Sequence, residues 1–288
     1  GQAAFPIISF GGDGLAKKFV PDCAAGKKVA AFVLTEPGAD SDASHQSTTA
    51  VEKGDHYVVN GEKIFIMLGD VADLGVLFCR VEGQSGVSAM MVDDTTQPGW
   101  QARTLKNKLG VRAATAAGIV LKDVKIPRAN LLGELGHGSE YALATLGAAA
   151  VSVAAQSIGL SQRALDESIA YAKKREAFGQ PIAKLQAIQW MIADMATRLE
   201  AARGMTYHAA LKQDAGEAFS LEASMARLYA TQVAAFCVDR AMQIHAGYGF
   251  IGEFSPIEKL YRDQRALEIY EGDAGVQRLA IAENIIGR

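Results

Sequence analysis

The chain has 288 residues, 49% of them hydrophobic and 21% charged, which excludes a mini-protein stapled by metal or disulfide and equally a disordered chain. With 29 basic against 32 acidic residues there is no overall field to gather a nucleic-acid backbone or an anionic membrane, so a small-molecule partner is the default. Cys23, Cys79 and Cys237, odd in number and far apart, read as reduced core thiols in a cytoplasmic setting, or in the mitochondrial matrix of a eukaryote.

Residues 1–26 fit neither a strand pattern nor a bundle pattern and read as the last turn or two of a helix followed by a connector. The opening GQAAFPIISFGGDGL lacks the basic region and cleavage site of a secretory signal. From 27 to 130 the chain shows short β-rich runs, VAAFVLTE, YVVN, KIFIM, VLFCRV, VSAMMV and GIVLKDVKI, which predict a small antiparallel β-barrel or sandwich domain. Asn60-Gly61 is expected to form a type I′ hairpin, because both central residues must take positive φ.

From Leu131 onward the period changes. Leu185, Ile188, Ile192, Met195 and Leu199 stack on one face of a helix. The pattern predicts helices over 138–174, 182–213, 218–246, 256–266 and 273–287, so that 131–288 forms a C-terminal four-helix bundle. The apolar tract from Leu143 to Ala155 falls short of the roughly 20 residues a membrane span needs. The fold class is α+β multidomain, with strands and helices segregated.

Gly247, Gly249 and Gly252 satisfy G-x-G-x-x-G, but a helix precedes them and Pro256 follows, so they read as a chain reversal or a close approach to a ligand, not a dinucleotide fingerprint. None of the five histidines has metal-ligand spacing, no C-x-x-C occurs, and neither a G-x-S-x-G elbow nor a P-loop is present.

What remains is an ordered set of strings. Thr35-Glu36-Pro37-Gly38-Ala39-Asp40-Ser41-Asp42 ends a strand, Arg175-Glu176-Ala177-Phe178-Gly179 ends a helix, Gln243-Ile244-His245-Ala246-Gly247-Tyr248-Gly249-Phe250 ends another, and Ile269-Tyr270-Glu271-Gly272 precedes the last helix. Singly each has a plain explanation: Arg175 complements a helix C-terminus, and Asp273 caps the helix after Glu271-Gly272. Together, in this order, they resemble the acyl-CoA dehydrogenase family across essentially the whole chain.

The resemblance implies an FAD-dependent enzyme that oxidises an acyl-CoA to a trans-2-enoyl-CoA and passes electrons to an electron-transferring flavoprotein. Glu271 would be the base for the α-proton while hydride leaves the β-carbon for the flavin, and the Glu271 backbone N–H would bind the thioester oxygen. The implied FAD contacts are Phe32, Leu34, Thr35, Ser41, Phe65, Ile66, Met67, Gly272 and Asp273. Arg175, Phe178, Gln186, Gln243 and Gly247 would reach FAD across a subunit interface, so a homodimer or homotetramer is implied. Ser41, Tyr270, Glu271 and Gly272 would meet the acyl-CoA.

Several positions depart from the family's pattern. Met67 stands where a Thr usually donates to the flavin, Asp273 and Gly275 replace Thr and Gln, and Gly147 and Ala150 replace an Asp and an Arg that meet the acyl-CoA. Ala149 occupies the place where some members carry the base. Most of the family's N-terminal helical domain has no counterpart in residues 1–26. These departures motivate two alternatives: a catalytically weak or silent subunit of a hetero-oligomer, and a flavin oxidase or monooxygenase on the same fold.

Overall fold

The computed structural model describes residues 2–39 and 45–287. The chain forms two compact units, Gly1–Lys108 with Arg112–Thr145, and Leu109–Val111 with Leu146–Arg288. The division falls inside a helix, whereas the change of sequence period at 131 marks only where helix replaces strand.

The first unit opens with α1 (Ala4–Phe10) and α2 (Gly12–Ala24), more helix than the turn or two expected. Ile7, Leu15 and Phe19 are buried, and Phe10 stacks on Tyr141 at 4.3 Å between centroids, so apolar contacts hold both short helices. Eight strands follow: β1 (Ala30–Val33), β2 (Thr49–Lys53), β3 (His56–Met67), β4 (Leu74–Val81), β5 (Val87–Val92), β6 (Trp100–Thr104), β7 (Ala116–Pro127) and β8 (Leu131–Leu132). They form one sheet ordered β6-β7-β3-β2-β4-β5-β8, with β1 also on β4.

The sheet is not wholly antiparallel as expected. Ala30–Val33 pairs in parallel with Leu74–Leu77, and Thr49–Ala50 in parallel with Arg80–Val81. β1 and β2 therefore follow head to tail along one edge of β4 and must share its direction. Strands β2 and β6 escaped the sequence reading because both are largely exposed and lack an apolar alternation.

Asn60-Gly61 is not a hairpin turn. Both residues lie inside β3, where the pairing with β7 shifts register between Val59 and Gly61. A Cβ at Gly61 would stand 2.7 Å from the Thr48 Cα, so the glycine answers a close backbone approach at a bulge. The tight reversal between β2 and β3 uses Gly54, at φ +65°.

A buried ion pair lies under the strands of this unit. Lys63 is fully buried and donates to Glu36 Oε1 at 2.9 Å, to Gln46 Oε1, and to the carbonyls of Leu34 at 2.9 Å and Phe78 at 2.7 Å. Glu36 also accepts from the Ser47 N–H at 2.6 Å, the Ser47 hydroxyl, and the Thr48 N–H at 3.0 Å. Burial by itself raises the Glu36 pKa, but Lys63 and these hydrogen bonds outweigh it and hold the carboxyl at about 2.

Helix α3 (Gly138–Lys174), which crosses the division, and α4 (Gln186–Asp214), α5 (Ser220–His245), α7 (Ile257–Leu267) and α8 (Ala274–Ile286) of the second unit follow the expected helical spans to within a few residues, while the single turn α6 (Gly247–Phe250) was not expected. A two-stranded hairpin, β9 (Glu176–Ala177) with β10 (Gln180–Pro181), joins α3 to α4. Helix α5 packs against α4, α7 and α8, and its buried face is mostly small: Ala223, Ala226, Ala230, Ala234 and Cys237 let the neighbouring helices come close. One correction concerns α3, which by length and composition is long and apolar enough to cross a membrane, beyond what the Leu143 to Ala155 tract indicates. Its buried Ala150, Ala154 and Ala164 pack into the bundle core. Asp273 caps α8, accepting from the N–H of Gly275 at 2.7 Å and of Val276 at 3.0 Å.

Two outcomes follow. Glu36→Gln strands a buried ammonium, and should cost about 3–5 kcal/mol in denaturant unfolding at neutral pH. Because the folded-state pKa of Glu36 is depressed, its stabilisation is complete above the ordinary carboxylate value of 4.5 and is lost as pH falls toward about 2. The acid limb of the stability profile should therefore flatten in the variant. Asp273→Ala should cost roughly 1 kcal/mol through the lost cap, read as a lower thermal midpoint.

Candidate active site

The candidate base stands on the turn between α7 and α8. The Tyr270 N–H ends α7 by donating to the Ala266 carbonyl at 3.1 Å, and the chain then turns through Glu271 at φ +64° and Gly272 at φ +87° into the Asp273 cap. Positive φ is costly at a non-glycine residue, so the surroundings must hold it. Arg227 on α5, only 2% exposed, donates one guanidinium nitrogen to the Tyr270 carbonyl and the other to that of Glu271. The Tyr270 hydroxyl donates to Gln156 Oε1 on α3 at 2.6 Å, and Gln277 on α8 donates to the Gly272 carbonyl at 3.3 Å. Burial and then the Glu271 charge raise the Tyr270 pKa, keeping the phenol a neutral donor. Glu271 itself is half-buried.

A second cluster lies at the other end of α5. A cavity of about 550 Å³ is lined by Arg175, Phe178, Gly247, Tyr171, Tyr248 and His245, among others. The guanidinium of Arg175 sits 5.6 Å from the Tyr248 ring centroid, and Tyr171 stacks on His245 at 4.4 Å. His245 is buried with Nδ1 2.8 Å from the Ala241 carbonyl, and burial lowers its pKa, so the ring stays neutral. Phe178 and Gly179 are the two central residues of the β9–β10 hairpin, at φ +54° and +76°. Phe178 is 91% exposed, a strained aromatic held outward. The break after α5 falls at Ala246, at φ +51°, and Gly247 and Gly249 lie in the helical turn α6: Gly249 packs so tightly that a Cβ would stand 2.8 Å from that of His245, while the space beside Gly247 is open. Gln186, first residue of α4, and Gln243 near the end of α5 are exposed, and neither lines this cavity.

The third group belongs to the first unit. A second register shift in β3, between Lys63 and Ile66, coincides with Phe65 at φ +58°. The bulge turns Phe65 out to 62% exposure and leaves Met67 exposed beside it, while Ile66 and Lys63 point inward. Thr35 lies alongside, its carbonyl accepting from the Ile64 N–H at 3.0 Å. Leu34 is buried, and Phe32 is half-buried with its ring edge-on to Phe78 at 5.0 Å. Ser41 lies outside the described residues.

The structure thus brings Tyr270, Glu271, Gly272 and Asp273 together, and Arg175, Phe178 and Gly247 together, with α5 between the two groups. Arg227 and Gln156 were missed in the sequence. A signal existed for Arg227: it is a lone charge in the alanine stripe of Ala223, Ala226 and Ala230. The Met67 side chain offers no N–H or O–H donor, and Ala150 is buried in the bundle core. Among the described residues no group of His, Cys, Asp and Glu has the arrangement of a metal site.

Comparison with known proteins agrees with this architecture. Residues 31–124 match the acyl-CoA dehydrogenase middle domain, and 136–286 the acyl-CoA dehydrogenase C-terminal domain. The chain is 42% identical over 284 residues to a 3-(aryl)acrylate reductase of Clostridium sporogenes, covering 98% of this chain and 75% of that protein. It is 43% identical over 283 residues to the caffeyl-CoA reductase-Etf complex subunit CarC of Acetobacterium woodii, covering 97% and 74%. The structure of butyryl-CoA dehydrogenase from Megasphaera elsdenii superposes with a TM-score of 0.95 at 36% identity, over 99% of this chain and 75% of that one. Two matched domains in the family's order, carried on a β-sheet unit and a helical unit, make this chain a member of the acyl-CoA dehydrogenase family of oxidoreductases.

Proposed function

We propose that the chain interconverts a saturated acyl-CoA thioester and its trans-2-enoyl counterpart, with Glu271 as the base for the α-proton. The observation that carries this reading is the Tyr270-Glu271-Gly272 turn, a half-buried carboxylate on a left-handed backbone tied to α3 through Gln156 and to α5 through Arg227. An α-proton beside a thioester is weakly acidic, so its acceptor must be held in hydrogen-bond reach and partly out of water. The Glu271 N–H is the donor assigned to the thioester oxygen, where it stabilises the negative charge that develops as the proton leaves.

Bound FAD supplies the acceptor for hydride from the β-carbon. The residues present suit such a group. In the first unit Phe65 and Met67 offer an exposed apolar ledge for a flat ring, with Thr35 alongside. The cavity beside Arg175 combines a cation for phosphate with the aromatic faces of Tyr171 and Tyr248. His245 lies eighteen residues along α5 from Arg227, roughly 27 Å at the rise of a helix. Two clusters so far apart suit two cofactor molecules, which favours the reading that Arg175, Phe178, Gln186, Gln243 and Gly247 serve a neighbouring copy in a homodimer or homotetramer.

An electron-transferring flavoprotein is the proposed redox partner, supported by the Etf complex named for the Acetobacterium relative. The reductase names of both relatives support use of the same site toward enoyl reduction. The free state of Cys23, Cys79 and Cys237 suits a cytoplasmic or matrix setting.

Anaerobic titration of the holoprotein with a panel of acyl-CoAs should bleach the flavin band. A colourless protein unable to take up FAD would instead favour the silent-subunit reading. Glu271→Gln should keep FAD yet slow turnover by about 10²–10⁴-fold, and unchanged turnover would refute the base. Arg175→Ala should show first in flavin content, measured as the ratio of flavin to protein absorbance after desalting.

A further inference from the structure

We propose that Arg227 is a positioning residue for the base: by holding the successive carbonyls of Tyr270 and Glu271 in one guanidinium fork, it fixes the direction in which the Glu271 carboxylate leaves the backbone. This rests on the reading of Glu271 as base.

Successive carbonyls of an extended chain point to opposite sides, so one planar donor reaches both only where the backbone turns between them. Here the turn is Glu271 at φ +64° followed by Gly272 at φ +87°. The left-handed conformation is unfavourable at glutamate, and a fork that binds both carbonyls selects it over the extended alternative. The donor itself has little freedom. Arg227 is buried in the N-terminal part of α5, between Ala223 and Ala230 on the same face, and its side chain runs from that packed face to the turn. The peptides on either side are tied as well, Tyr270 through its hydroxyl to Gln156 and Gly272 through its carbonyl to Gln277, so the guanidinium acts on a turn whose ends are already placed. A lysine ammonium, a compact donor without the planar fork, would keep the charge but not the paired geometry.

The test compares Arg227→Lys and Arg227→Met, each alone and combined with Glu271→Gln, in the flavin-loaded protein with butyryl-CoA as substrate. Two rates are read: turnover, and exchange of the substrate's α-hydrogen with deuterium oxide, which needs the base but no net oxidation. For Arg227→Lys the expected result is a flavin content, thermal midpoint and KM close to wild type, with kcat and α-exchange lowered on the order of 10- to 100-fold. Arg227→Met, if it folds, should lose more. In the Glu271→Gln background Arg227→Lys should cause no further loss, because a residue acting through the base has nothing left to position. The proposal is overturned if Arg227→Lys leaves kcat unchanged, if its loss adds in full to that of Glu271→Gln, or if the lysine variant cannot be obtained folded, which would make the residue structural. Unchanged turnover in Glu271→Gln alone is a different result: it removes the base and this inference with it.

Discussion

A cation taken out of water must find oxygen, and in both units of this protein the oxygens include backbone carbonyls of a segment that carries site residues. Lys63 binds the carbonyl of Leu34, beside Thr35, and the Glu36 carboxylate that follows. Arg227 binds the carbonyls of Tyr270 and Glu271. Each buried charge is costly unless every donor is satisfied, so each forces one conformation on a stretch of chain that would otherwise be an adaptable loop. Two of the four strings that carry the resemblance, the one from Thr35 and the one ending at Gly272, sit on those two stretches.

Strain coincides with the same places. Among the described non-glycine residues with positive φ are Phe65, Phe178, Ala246 and Glu271, each of them inside or beside a string that carries the resemblance. Such residues cost of order 1–3 kcal/mol each and persist only where the surroundings overdetermine them. A β-bulge holds Phe65 outward, a two-residue hairpin holds Phe178, and the fork of Arg227 grips the turn at Glu271. Rigid elements thereby present side chains that an unstrained chain would fold away.

Two departures from the family's pattern also find physical roles. Asp273 spends its carboxylate on two α8 amide groups, the plain capping role that its position before a helix suggested. Ala150 fills the bundle core with the small side chain that close helix packing demands. Asp273 and Ala150 are thus accounted for by capping and packing within the second unit; nothing in the structure explains Met67, Gly147 or Gly275.

The amino-acid order by itself determined the segregation of strands from helices, the three long and two shorter helical spans and the strings from Thr35 to Gly272, because hydrophobic period and local turn chemistry are properties of neighbouring residues. It misread Asn60-Gly61 as a turn, since a glycine chosen for contact with Thr48 looks the same as one chosen for positive φ. It gave no account of the parallel pairing of β1 and β2 on β4, which depends on a third strand reached much later in the chain. The tertiary structure alone decided what the two buried cations bind. Arg227 and Glu271 are 44 residues apart, and only the packing of α5 against α7 and α8 brings a guanidinium to those carbonyls, because burial, unlike period, is a relation between elements distant in sequence.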